Sequence, residues 1–104
     1  MSKRLDACIK LILPKSLEAQ VIEELLKHPE WVGPFITHRV EGHGDPDSIA
    51  SVAEQVRGRA ERVQIEILLD ASHAHDLVDH FRAHLPSREI VWWLSPVVES
   101  GTFA

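Results

Sequence analysis

The sequence predicts an α+β fold in which two helices cover one face of a four-stranded antiparallel sheet. Three observations support this: strand and helix patterns run in the order β-α-β, then β-α-β; one long connection joins the halves; and 44% of the 104 residues are apolar, enough for one two-layer core. This order is the split βαβ repeat of the ferredoxin-like sandwich. We therefore expect a single domain over residues 1–104.

The first half of the chain contains a strand, a helix and a second strand. In residues 5–13, LDACIKLIL, the odd-numbered positions are apolar, which predicts a strand with one buried face. Residues 16–28 carry apolar side chains at helical spacing, with Ser16 as the expected N-cap. Residues 35–42, FITHRVEG, follow a Gly-Pro pair and are rich in β-branched and aromatic residues, which predicts the second strand.

The second half repeats this pattern after a long connection. Residues 43–60, HGDPDSIASVAEQVRGRA, begin with turn formers, and a connection of this length is usually functional or mobile. Residues 62–69, RVQIEILL, alternate as the clearest strand, and residues 72–85 have apolar positions at helical spacing. Residues 89–94, EIVWWL, complete the sheet as a last short strand.

The sheet face that points away from the helices is expected to be uncovered. Because strand side chains alternate between faces, this face would present Cys8, Lys10, Ile12, Gln64, Glu66, Leu68 and either Trp92 or Trp93. This mixture is more apolar than expected for a solvent-exposed surface that has no binding partner. We therefore expect copies of the chain to associate through it.

Charge and motifs exclude several functional classes. The formal net charge of −5 disfavours nucleic acid as a partner. No apolar run is long enough for a membrane span, the N-terminal stretch does not fit a signal peptide, and the single Cys8 suits a reducing compartment, so we expect a cytoplasmic protein that is not membrane-inserted. No P-loop, nucleophile elbow or dinucleotide fingerprint is present, so we expect no enzymatic activity.

The order of elements and several short segments resemble the PII-like superfamily of small trimeric signalling proteins. VEGHG, residues 40–44, resembles the Gly-x-Gly turn that leads into the T-loop of that family, and RVQIEILL resembles the strand that returns from it. GHG, EQVRGRAERVQ and SPVVESG are similar to an uncharacterised PII-like branch whose members often sit beside heavy-metal efflux systems. The resemblance implies a homotrimer with a T-loop-like connection over residues 43–60.

The resemblance also implies a ligand cleft at the turn, formed by Gly42, His43 and Gly44. Arg57 and Arg59, where the loop rejoins the sheet, extend this predicted ligand-binding set, although neighbouring glutamates offer structural ion pairs as an alternative role. The nucleotide site of the family is only partly matched. Its lysine-bearing loop after the second helix is here LPSRE, and its paired basic residues in the final segment are replaced by VVES.

Seven histidines suggest metal chemistry, because neutral imidazole is a common ligand for transition metals. His38 and His43 flank the end of the second strand with Glu41 between them, and we predict this set as a site for Zn, Cu, Ni or Co. The alternative is that His38 simply lies on the sheet surface. His80 and His84, four residues apart on the second helix, form either a chelating pair or an ordinary solvated face.

The sequence thus predicts a regulatory protein that responds to a small ligand, with a divalent transition metal as the first candidate. The loop over residues 43–60 would contact a partner such as a membrane efflux or transport component. Two alternatives stay open: a metal-buffering trimer resembling the divalent-cation tolerance proteins, and a nucleotide-binding PII-like signalling protein.

Overall fold

The computed structural model describes residues 4–43 and 59–104, of which residues 59 and 60 are described through their backbone. Within these ranges the elements follow the predicted order. They are β1 (Ala7–Pro14), a 3-10 turn (Lys15–Leu17), α1 (Glu18–Leu26), β2 (Phe35–His43), β3 (Arg59–Leu69), α2 (Ala71–His84) and β4 (Val91–Pro96).

The four strands form one antiparallel sheet in the order β2-β3-β1-β4. β1 lies between β3 and β4, and its register runs from Ala7 opposite Leu69 to Pro14 opposite Arg62. This strand order, with a helix after β1 and a helix after β3, confirms the predicted ferredoxin-like fold.

The core lies between the helices and one face of the sheet. Alternate residues of β1 and β3 are buried, as their sequence period of two requires. The buried apolar residues are Ala7, Ile9, Leu11, Leu13, Val21, Leu25, Val32, Val63, Ile65, Ile67, Leu69, Ala74, Leu77 and Val78. The helices contribute short stripes at i, i+3 and i+4, so each packs on the sheet through one side.

The start of α1 differs from the prediction. Residues 15–17 form a 3-10 turn, α1 begins only at Glu18, and its N-cap position is Leu17, with no side-chain hydrogen bond. Ser16 lies inside the 3-10 turn, so its predicted role as N-cap is wrong. The tight turn directly after Pro14 brings the chain off β1 before α-helical hydrogen bonding begins.

Strands β2 and β3 are longer than predicted. β2 continues through His43 and β3 begins at Arg59, with His43 opposite Arg59 in the register. The ends of the predicted 43–60 connection are therefore strand. The remainder of that connection lies outside the described residues.

The sheet face away from the helices carries the predicted side chains. Trp93 pairs with Lys10 on this face and is 45% exposed, whereas Trp92 pairs with Leu11 and packs against the core. Arg62 is also on this face by strand alternation, yet it is only 5% exposed. No helix in the described ranges is long and apolar enough to cross a membrane.

Candidate metal centre between the helices

Three of the residues predicted to bind the ligand lie at the far end of the β2–β3 hairpin. Gly42 pairs with Ala60, and His43 pairs with Arg59. Gly42, His43 and Arg59 therefore lie next to one another at this end of the sheet. The other two predicted residues, Gly44 and Arg57, lie outside the described residues.

The structure does not bring the predicted metal ligands of β2 together within one chain. His43 and Glu41 share a face, with Nε2 and Oε2 3.9 Å apart, and both side chains are more than half exposed. His38 is five residues from His43, an odd separation, so it points to the opposite face and lies about 17 Å away along the strand. His38 lies on the open sheet face, opposite Gln64, as the alternative to a metal-binding role proposed. The three side chains do not converge within one chain, so the site of His38, Glu41 and His43 stays a prediction.

A different cluster joins the two helices. Glu24 of α1 and His28 just beyond its end are four residues apart and face His80 of α2. One ligand atom from each residue lies within 4.8 Å of the other two. The Nε2 atoms of His28 and His80 are 3.2 Å apart, and His80 Nε2 is 2.9 Å from Glu24 Oε2. Ligands around a tetrahedral zinc ion are about 3.3 Å apart, so these spacings are close to those of a metal site.

The backbone after α1 fixes the position of His28. The His28 N–H donates to the Leu25 carbonyl at 3.2 Å, and the His28 carbonyl accepts from the N–H groups of Trp31 and Val32 at 3.1 and 3.0 Å. The His28 imidazole stacks on the Trp31 indole, with ring centroids 4.8 Å apart and planes within 12°. The turn after α1 and the stacking on Trp31 therefore fix the position of the His28 imidazole.

The hydrogen bonds of the ring nitrogens orient the two imidazoles of the cluster. Glu30 Oε1 accepts from Nδ1 of His28 at 3.0 Å, so in the neutral ring the Nε2 atom that faces His80 carries a lone pair. With His28 in that form, the N–H of His80 Nε2 donates to Glu24 Oε2 and faces the His28 lone pair. A metal cation bound by the three side chains would take the place of this hydrogen.

The Glu24 carboxylate is ionised and oriented for this role. Oε2 accepts from His80, and Oε1 accepts from Lys27 Nζ at 3.1 Å. These two hydrogen bonds, that of His80 first, lower the pKa of Glu24 below its ordinary value. The carboxylate is therefore available as an anionic ligand at neutral pH.

A third imidazole lies beside the cluster. The ring of His84 stacks on that of His80 at 4.0 Å, and its Nδ1 donates to the His80 carbonyl at 2.9 Å. The sequence predicted either a chelating pair or a solvated face for His80 and His84. In the structure His80 belongs to the cluster, whereas His84 packs against the His80 ring.

Sequence reasoning missed Glu24 and His28 as possible ligands. The available signal was the Glu-x-x-x-His spacing over residues 24–28 together with the His-x-x-x-His spacing over residues 80–84, because each pair shares one helix face. Neither spacing says which faces meet. That requires the antiparallel packing of α1 beside α2.

The solved structures that are similar to the chain include a member of a family of unknown function, a PII-like protein and a larger protein. A DUF3240 family protein from Shewanella baltica is 17% identical with a TM-score of 0.75, and the match covers 100% of both chains. A putative PII-like signaling protein from Thermus thermophilus is 11% identical with a TM-score of 0.62, over 88% of this chain and 86% of that one. A Bacillus cereus protein related to NIF3 is 16% identical with a TM-score of 0.69, over 98% of this chain and 27% of that one.

At these identities the solved structures establish the fold and nothing more. No curated protein matches the chain. A family model does match, over residues 2–104, and it is described as a protein of unknown function, DUF3240. The chain therefore belongs to the DUF3240 family, and its fold is that of a PII-like protein.

Proposed function

We propose that this protein is a non-enzymatic PII-like regulator that responds to a divalent transition metal bound by Glu24, His28 and His80. The observation that carries the proposal is the convergence of these three side chains, whose ligand atoms lie within 4.8 Å of one another between α1 and α2. The PII-like fold supports a regulatory role, and the cluster supports the choice of ligand.

The donor set selects the class of metal. Two imidazole nitrogens and one carboxylate oxygen suit Zn²⁺, Co²⁺, Ni²⁺ or Cu²⁺. Mg²⁺ and Ca²⁺ prefer oxygen ligands and would gain little from the two histidines. The site therefore favours the same metals as the sequence prediction, although it uses different residues.

The cluster offers three protein ligands, which favours reversible binding of the metal over permanent binding. Structural zinc sites are usually closed by four protein ligands, whereas three protein ligands leave a position for water or an incoming donor. The side chains of Glu24 and His80 are 20% and 13% exposed, so the cluster is covered but remains accessible. Such a site suits a protein that samples available metal.

The position of the cluster offers a route for a response. The metal would bridge α1 and α2, and α2 follows directly after β3, whose other end adjoins the 43–60 connection. A metal shifts the protein between states only if it binds one state more tightly than the other. In this proposal, the bridged arrangement of the helices is the preferred state.

The proposed partners are other copies of the chain and a membrane transport component. The open sheet face, with Ile36 61% exposed and Trp93 45% exposed, supports self-association as a homotrimer. The connection over residues 43–60 would contact an efflux or transport protein. The resemblance to a PII-like branch found beside heavy-metal efflux systems supports this second partner.

The metal site is tested by calorimetric titration of Zn²⁺, Ni²⁺ and Co²⁺ into the purified protein and its variants. His80→Ala, His28→Ala and Glu24→Gln are each expected to weaken binding by at least about 100-fold, since loss of even an outer-shell group costs roughly 10–100-fold. Co²⁺ also gives a visible spectrum that reports nitrogen ligands and coordination number. His38→Ala and His43→Ala are the matched controls, because they remove imidazoles from the originally predicted site without touching the cluster.

The outcome decides between the two sites. Loss of binding in His43→Ala with retention in His80→Ala would contradict the proposal and return the site to the β2–β3 hairpin. Limited proteolysis of the native protein with and without metal separates regulation from buffering, since a regulator must change the protection of its loop and a buffer need not. A thermal-shift measurement with ATP and ADP tests the nucleotide-binding alternative.

A further inference from the structure

A cavity opens between α2, β4 and the segment that joins them. Its volume is about 420 Å³, which lies within the range of about 300–1,000 Å³ typical of small-molecule sites. It is separate from the metal cluster, because none of the three metal-binding candidates lines it.

The two helices differ in length. α1 has 9 residues and α2 has 14, so α2 is longer by about 7–8 Å. The 3-10 turn over residues 15–17 delays the start of α1, and Val21 is the α1 residue that reaches the cavity. One side of the last turns of α2 contacts α1 through His80 and Glu24, and the cavity lies along another side, which carries Phe81, Arg82 and Leu85.

The floor and walls of the cavity are apolar. They include Leu11, Leu77, Val78, Phe81, Ile90 and Trp92. Apolar side chains that line an open cavity are in contact with water, and covering them with an apolar group is favourable. The cavity therefore favours an apolar occupant.

The rim of the cavity is positively charged. Among the described residues, the charged side chains that line it are Arg82 and Arg88. The Arg82 guanidinium lies 5.8 Å from the centre of the Trp92 ring, which keeps it at the cavity mouth. Its ion pair with Asp79, at 3.7 Å, joins side chains that are 67% and 72% exposed, so it competes weakly for the guanidinium.

We propose that this cavity binds a small amphiphilic anion, with an apolar or aromatic body inside and one carboxylate, sulfonate or phosphate group at the two arginines. The local charge is opposite in sign to the chain's net charge of −5, so the rim attracts an anion that most of the surface would repel. Arginine is suited to such groups because its planar fork donates two parallel hydrogen bonds.

The test uses a matched pair of fluorescent probes on the intact protein. Anilinonaphthalene sulfonate combines an aromatic body with one anionic group, and phenylnaphthylamine is its neutral counterpart. The native protein is expected to bind one anionic probe per chain, with a change in its tryptophan emission, to which Trp92 in the cavity contributes. The double variant Arg82→Gln/Arg88→Gln should weaken the anionic probe by about tenfold or more and leave the neutral probe unchanged.

Two further variants keep the result interpretable. Arg4→Gln/Lys15→Gln changes the net charge by the same amount at other places and should leave both probes unaffected. Val78→Phe fills the cavity and should abolish binding of both probes, with circular dichroism and thermal unfolding used to confirm that it folds.

Three outcomes would overturn the proposal. One is equal weakening of the anionic probe by both charge variants, which would indicate a general field effect. Another is anionic binding that the rim arginines do not influence. The third is loss of probe binding as protein concentration rises, in step with assembly measured by light scattering, because the natural occupant would then be a second copy of the chain.

Discussion

At the scale of single residues, Gly33 is the most tightly constrained position between α1 and β2. Its N–H donates to the Leu68 carbonyl at 2.9 Å, and the Leu68 N–H donates to the Pro34 carbonyl at the same distance. A β-carbon at Gly33 would lie 2.4 Å from the Leu68 oxygen and 2.8 Å from Leu5 Cδ2. The backbone oxygen cannot move aside without breaking this pairing, so the chain requires glycine here.

Gly33→Ala is therefore expected to destabilise the protein by about 1–3 kcal/mol, the usual range for overpacking. The measurement is the free energy of unfolding from urea denaturation. Gly101→Ala is the control, because a β-carbon there meets nothing within 4 Å and should leave stability unchanged. Equal stability of the two variants would show that β2 can shift to accept the methyl group.

The thiol of Cys8 is a second residue-scale result. Burial raises its pKa above the ordinary value, with the Glu66 carboxylate as the next contribution. The thiol therefore stays protonated at neutral pH and is a poor nucleophile, which fits its mid-strand position on the open face.

At the scale of elements, the start of α2 is fixed by two carboxylates. Asp70 is the N-cap, and its side chain accepts from the Ser72 N–H at 2.9 Å. Asp6, just before β1, accepts from the Ala71 N–H at 2.8 Å and so ties the helix start to the sheet. The hydrogen bonds from Ser72, that of its backbone first, lower the pKa of Asp70.

The cap at Asp70 makes the stability of α2 depend on pH. Because the folded pKa lies below the ordinary value of 3.8, the contribution is fully present above that value and is lost as pH falls through the folded pKa. Asp70→Ala should lower the melting temperature by about 4–8 °C at pH 7, and the difference from the native protein should shrink in acid.

Asp70→Asn separates capping from charge in the same experiment. Asparagine keeps a hydrogen-bond acceptor but does not titrate, so this variant should melt close to the native protein at pH 7. Thermal unfolding by circular dichroism across pH 2–7 measures all three proteins. A native–alanine difference that stays constant to the lowest pH would refute an ionised cap.

At the scale of the whole molecule, the open sheet face is the surface that the fold leaves without a partner in the described part of the chain. It carries Ile36 on β2, Ile12 on β1, and Val91 and Trp93 on β4. Helices cover the other face, so association through this surface would bury the sheet on both sides. The proposed homotrimer depends on this surface.

Trp93→Glu is expected to convert the assembled protein to monomer, because a carboxylate at the centre of an apolar contact would have to lose its hydration. Light scattering coupled to size-exclusion chromatography gives the mass. Leu26→Glu is the control, since Leu26 is 67% exposed on α1 and lies away from this face. Dissociation of both variants, or of neither, would exclude the open face as the interface.

The sequence by itself determined the fold class and the composition of each sheet face. Side-chain alternation in residues 5–13 and 62–69, and the helical spacing around Val21 and Leu77, depend only on local backbone geometry. The same alternation separates His38 from His43, since their odd spacing on one strand already places them on opposite faces.

Contacts between polar side chains of different elements depend on how those elements pack. Glu24 and His28 are more than fifty residues from His80, and their convergence depends on how two helices lie side by side on the sheet. The cavity near Trp92 likewise depends on packing, because its lining comes from β1, both helices, β4 and the segment before β4. Local periodicity assigns each residue to a face of its own element, but the contacts between faces arise from packing, which a linear pattern does not specify.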